Sequence, residues 1–97
     1  MVPVTSNSSS VFGQAERRKP GLYLREMRIH AGLKMREVVA ASKRLAKQKG
    51  DSRYAIVLSR LSMIEQYDVV PSIFRLYTLS AVYGSDLHTL LRLYGIE

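Results

Sequence analysis

Leu58-Ser59-Arg60-Leu61-Ser62-Met63-Ile64-Glu65 is the stretch on which the reading of this chain turns. Leu58, Leu61 and Ile64 recur at steps of three, a spacing that sets them on one face of a helix and leaves Ser59, Arg60, Ser62 and Met63 facing elsewhere. Isolated helices shorter than ~12 residues are marginal in water, because the first turn fixes several dihedrals for one hydrogen bond. The segments on either side must therefore supply the packing that holds this one.

On the C-terminal side, residues 66–70 read as a loop, and Pro71 opens a helix at the position where a missing N–H costs nothing. Its inward stripe is Ile73, Leu76, Leu79, Ser80 and Tyr83, and Gly84 ends it. Asp86 is placed to cap a last helix over 87–94, with Leu87, Leu90 and Leu91 inward and Gly95 as its stop.

On the N-terminal side, Gly50 and Asp51 close the preceding helix and belong to an irregular stretch, 48–54. That preceding helix, amphipathic over 35–47, carries Met35, Val38, Val39, Ser42, Leu45 and Ala46 on one stripe and Arg36, Lys43, Arg44 and Lys47 on the other face. A second reading stays open here. Asp51 or Ser52 would cap a longer helix running to Glu65, since Tyr54, Val57, Leu58, Leu61 and Ile64 also share a helical face.

A first helix over 22–30 follows a chain break at Pro20-Gly21, with Leu24, Met27 and Ala31 inward; Gly32 ends it and Leu33 plugs the core. Residues 1–20 are polar and serine-rich without a hydrophobic period, and read as a flexible basic N-terminal arm ahead of one helical domain, 21–97. Arg17, Arg18 and Lys19 make its end basic, either as a clamp on phosphates or as a solvated tail. With no internal repeat and no strand pattern, the class is all-α with five helices.

A chain of 97 residues fits one domain with a small core. Its net charge of +7 and pI near 10.1 favour a polyanionic partner, nucleic acid or an acidic membrane surface. Twelve of the 15 Lys and Arg lie in residues 1–53, beside four of the eight Asp and Glu, so one end is electropositive. The other end is rich in Leu and Tyr. Its Tyr67, Phe74, Tyr77, Tyr83 and Tyr94 suit a homodimer contact, or two or three of them fill the core and the rest are merely exposed.

Cysteine is absent, which excludes a disulfide framework, a thiol nucleophile and cysteine-ligated zinc, and fits a reducing compartment. Residues 1–10 lack the basic and apolar regions of a signal peptide, and no apolar run reaches the ~18 residues of a membrane span. A cytoplasmic, membrane-free location is expected.

No constellation for catalysis is visible, so neither an enzyme, a cofactor nor a metal is expected. His30 and His88 stand in different helices without acidic neighbours at ligand spacing, and the six glycines punctuate helices rather than cradle phosphate. The basic set Lys43, Arg44, Lys47, Lys49 and Arg53, offset only by Asp51, is the best phosphate-binding candidate, with Arg36 on the same helix.

Leu24-Arg25-Glu26-Met27-Arg28, Gly32-Leu33, Glu37-Val38-Val39, Leu61-Ser62 with Ile64-Glu65, Pro71-Ser72-Ile73, Leu79 with Gly84, and Asp86-Leu87 with Leu90-Leu91 stand in a familiar order. Over residues 22–91 this order resembles the XRE (Cro and lambda-repressor-like) helix-turn-helix family. The resemblance implies a five-helix domain that binds double-stranded DNA as a homodimer, with the second helix across the backbone and the third in the major groove. It maps the base-reading positions onto Leu58, Ser59, Arg60, Ser62 and Met63, and pairs Arg28 with Glu65 as scaffold.

The departures are specific. Between Glu37 and Glu65 the chain is about a dozen residues longer than the usual motif. Met35 stands where many relatives hold a phosphate-binding glutamine, and Lys34 where they hold a Ser or Thr cap. Only Arg60 has a strong edge-reading side chain, while Leu58 and Met63 suit thymine methyls or, with greater weight, the core. The expected function is a sequence-specific transcriptional regulator; the alternative is a protein-interaction or antitoxin-like module that keeps the fold with weak nucleic-acid binding.

Overall fold

The computed structural model describes residues 19–96. Five helices follow one another: α1, Pro20–His30; α2, Met35–Lys49; α3, Leu58–Gln66; α4, Ile73–Tyr83; and α5, Leu87–Leu93, with one 3₁₀ turn, Ser52–Tyr54, between α2 and α3. The described residues contain no strand, so the class is all-α, as expected. None of these helices is long and apolar enough to cross a membrane.

Local chemistry sets the helix ends. Gly50 and Gly84 end α2 and α4 with φ of 64° and 68°, a left-handed turn that a Cβ would resist. Ser72 caps α4 by accepting from Arg75 N at 3.2 Å, and Asp86 caps α5 by accepting from His88 N. Lys34 cannot act as an acceptor; its own N–H instead donates to Glu37 Oε1 at 2.7 Å, which is half of a capping box.

Several expected boundaries move for the same reason. Pro71 does not open α4: the Ser72 cap places it just outside, buried, and turns Ile73 outward to 51% exposure. Pro20-Gly21 does not break the chain but forms the first turn of α1. Ala31 lies past the end of α1 and is exposed. The helix α2 runs two residues beyond Lys47, and the longer helix from Asp51 to Glu65 does not form, because Asp51 caps only the 3₁₀ turn.

The core joins Leu24, Val38, Ile56, Leu61, Ile64, Leu76, Leu79 and Leu90, with Met27, Leu33, Met35 and Val39 packed against it. Ile56 has no helical period to announce it. It is drawn in by Ser42, whose Oγ accepts from Ile56 N at 2.9 Å from inside α2. Thr78 Oγ1 donates to Tyr54 O at 2.6 Å, and Arg75 Nε donates to Ala55 O at 3.1 Å. Each backbone polar group so satisfied lets the segment between α2 and α3 lie against α2 and α4 without the penalty of a buried orphan.

The helix α1 is locked to α3 at both ends. Gly21 N donates to Asp68 Oδ1 at 2.8 Å, so an aspartate from the α3–α4 loop, itself at φ 56°, caps a helix 47 residues earlier. Arg28 forks onto Glu65 at 2.7 and 3.0 Å and donates its remaining arm to Leu33 O at 3.0 Å. The hydrogen bond that Arg28 donates to Glu65, and the charge of that carboxylate, raise the Arg28 pKa against the lowering effect of burial, so it stays ionised.

Tyr83 and Tyr94 bury hydroxyls that meet no hydrogen-bond partner. Burial first, and a nearby carboxylate second, push Tyr83 well up and Tyr94 up to about 12. Because the folded values are raised, their contribution is fully present below about pH 10 and is lost as pH rises through the folded values. Alkaline titration followed by tyrosinate absorbance should therefore show these two of the six tyrosines ionising late, together with loss of helix. A single step with its midpoint near pH 10 for all six, with the helices intact, would contradict that burial.

Candidate nucleic-acid interface

The face that α3 presents is decided by what it buries. Leu61, Ile64 and Glu65 turn inward, and at about 100° per residue this leaves Ser59, Ser62 and Met63 on the outer side, with Leu58 at its edge in the first turn. Leu58 is 39% exposed and Met63 42%, with Ser59 exposed and Ser62 half-buried. The sequence weighs both apolar side chains toward the core, and both are instead accessible. Ile56 takes the inward place that a helical period assigns to Leu58, because residues 55–57 are extended and alternate their faces.

Arg60 lies on the flank of this face, half-buried. Gln66, one turn beyond Ser62 and exposed, shares the face and falls outside the positions that the resemblance maps. Its signal is the same spacing carried one step further.

Arg36, Lys43 and Lys47 fall at i, i+7 and i+11 along α2, a single stripe, with Arg44 beside it. All four are exposed, and none has an ion-pair partner among the described residues. Arg36 and Lys43 share a shallow groove of about 300 Å³ with Val39, Ala40 and Leu58. The stripe of cations on α2 thus adjoins the N-terminal end of the outer face of α3. Arg44 faces a different groove, with Leu33, Glu37 and Val82.

Lys49 and Arg53, expected to extend the phosphate grip, are engaged within the domain. Arg53 pairs with Asp51 at 2.7 Å and lies 4.0 Å from the centre of the Phe74 ring. The Arg53 side-chain hydrogen bonds, with its backbone N–H next, hold the Asp51 carboxyl down at about 2. Lys49 Nζ sits 5.0 Å from the Tyr77 ring and 5.4 Å from that of Tyr54. Tyr54 in turn meets Phe74 and Tyr77 edge to face, at 5.3 and 5.7 Å.

The basic half and the aromatic half of the sequence therefore interleave at this corner rather than forming opposite ends. Of the aromatics expected at a dimer contact, Tyr83 and Tyr94 are packed against the core and Phe74 is half-buried, which leaves Tyr67 at 73% and Tyr77 at 38% exposure. Of the expected arm, 1–20, Lys19 is exposed at the start of α1 and Pro20 is that helix's first residue, while Arg17 and Arg18, with the rest of 1–18, lie outside the described residues.

His30 lines a cleft of about 400 Å³ with Tyr23, Glu26, Met27, Ala31 and Tyr83. Among the described residues no group of three or more His, Cys, Asp or Glu is placed to hold a metal ion. No family model, no curated protein and no solved structure matches this chain.

Proposed function

We propose that this chain is a DNA-binding regulator of helix-turn-helix type that lays the outer face of α3 in the major groove and holds the backbone with Arg36, Lys43, Arg44 and Lys47. The observation that carries the reading is the groove in which Arg36 and Lys43 of α2 adjoin Leu58 of α3, so that phosphate-seeking charge borders a face free to meet base edges. The resemblance to the XRE family in the order of its motifs supports the same reading. Such a protein works by occupancy rather than catalysis, in the cytoplasm with its DNA. Homodimers on a palindrome follow from the same family logic, with Tyr67, Val70 and Ile73 as exposed apolar material for the contact.

The test is selection from a pool of randomised duplexes at ~0.15 M salt, where purely electrostatic binding is already weak. Enrichment of half-sites about 10 base pairs apart supports a dimeric reader. Replacing Lys43, Arg44 and Lys47 together by glutamine is expected to weaken binding to every duplex and to flatten the slope of log K against log salt by about 0.9 for each phosphate no longer neutralised. An unchanged slope in that variant removes these residues from the interface.

A second reading is favoured by a specific observation, the apolar character of Leu58, Met63, Tyr67 and Val70 at the surface. It makes the chain a protein-interaction module, and predicts no duplex retained from the pool.

A further inference from the structure

Over its first two turns the outer face of α3 is poor in hydrogen-bonding reach and rich in exposed apolar surface. Leu58 and Met63 flank it at 39% and 42% exposure, and Val57, just before the helix, is 54% exposed. Between Leu58 and Met63 along the chain the outward side chains are only Ser59 and Ser62, too short to hold the helix away from the floor of a groove, while Gln66, the long amide that shares this face, stands in the last turn. The single guanidinium, Arg60, is set to the side and half-buried.

Surface of this kind gains free energy only by meeting other apolar atoms. In the major groove of unmodified DNA the one projecting apolar group is the 5-methyl of thymine, set among donors, acceptors and flat ring C–H. The neighbouring charge selects the same occupant, because Arg36 and Lys43 line one groove with Leu58 and call for an anion within a side chain's length of an apolar contact.

We infer that α3 reads its duplex chiefly through pyrimidine 5-methyl groups, thymine first and 5-methylcytosine by the same contact, with Leu58 and Met63 as the contacting side chains. This rests on the reading of α3 as the groove-docking helix. It adds that the contact follows a methyl group rather than a pattern of hydrogen bonds, so binding is sensitive to cytosine methylation where a contacted thymine is replaced by cytosine. The hydrogen-bonding pattern then changes while the methyl stays.

The test begins with duplexes enriched from the randomised pool, resynthesised with deoxyuridine for thymidine at single positions, which removes one methyl and leaves the phosphates and Watson–Crick edges as they were. At contacted positions the affinity should fall about fourfold per methyl, corresponding to ~0.8 kcal/mol for one buried carbon. Leu58→Ala and Met63→Ala should each weaken the thymine duplex by a similar factor and each abolish the response to one deoxyuridine. Both positions are exposed, so the helices should persist in each variant, which circular dichroism checks.

A cytosine placed at the same position should bind better as 5-methylcytosine than unmethylated. If enriched duplexes bind but neither deoxyuridine nor the two alanine variants matters, methyl readout is overturned and DNA binding stands. If deoxyuridine weakens binding equally in the variants, the effect comes from duplex shape and the assignment to Leu58 and Met63 falls. If no duplex is retained, both this inference and the function beneath it fall together.

Discussion

Glu65→Ala is expected to cost the domain about 3–5 kcal/mol of folding free energy, the range for removing one partner of a buried ion pair. The Glu65 side chain is wholly inaccessible and that of Arg28 is 11% exposed, so solvent screening does not soften the loss. Without the carboxylate, two arms of the Arg28 fork lose their acceptors and only the bond to Leu33 O remains. A small domain is stable by ~5–15 kcal/mol, so the variant should unfold at a much lower urea concentration and sit close to the edge of stability.

The comparison that isolates the cause is Arg28→Met with Glu65→Leu. Removing both charges at once removes the desolvation of both, so this double variant should recover most of what either single change loses. A loss below ~1 kcal/mol in Glu65→Ala would mean that the pair is hydrated and behaves like a surface salt bridge. The double variant has a further use. Glu65 stands in the last turn of α3, so the pair helps to set the tilt of that helix against α1, and a stable double variant separates the effect on folding from the effect on duplex binding.

Gly21→Ala is expected to destabilise by about 1–3 kcal/mol, against the sign that helix propensity alone gives. In an exposed helix interior, alanine is better than glycine by up to ~1 kcal/mol. Here a Cβ would fall on the carbonyl oxygen of Ile64, 2.6 Å from that of Glu65 and 3.0 Å from Asp68 Oδ1. Two of those atoms are backbone of α3 and cannot swing aside, and retreat of α1 would stretch both the Gly21 to Asp68 bond and the Arg28 fork. Chemical denaturation decides the matter by sign: a midpoint that rises in Gly21→Ala would mean that the two helices part easily.

The helical skeleton is largely legible in the residues. The stripe of α2 shows in Val38, Ser42 and Ala46, because a 3.6-residue period over fifteen residues is a strong signal. The stops at Gly50 and Gly84 are legible because a left-handed residue after a helix strongly favours glycine. The cations of α2 are legible as an exposed set for a related reason: they fall on the face opposite the apolar stripe.

What does not show is everything settled by residues distant along the chain. Ile56 is core because Ser42 and the packing of α2 and α4 hold an extended segment in place, and an extended segment of three residues has no period to read. Leu58 follows the helical pattern and yet faces out, since its place inside is already filled by Ile56. Lys49 and Arg53 look like Lys43 and Lys47 in composition, and only the aromatic rings brought up by α4 distinguish them.

The amino-acid sequence by itself determined the all-α class, the five helices and the side of α2 that carries free positive charge, because periodicity, capping and glycine stops act within a few residues. The tertiary structure alone decided that Gly21 is a point of helix contact, that Asp68 caps α1, that the segment between α2 and α3 is pinned, and that Leu58 and Met63 are open to a partner. Those features depend on which surfaces meet, and burial of apolar area is non-directional, so the meeting of surfaces is set by the whole fold rather than by any local stretch.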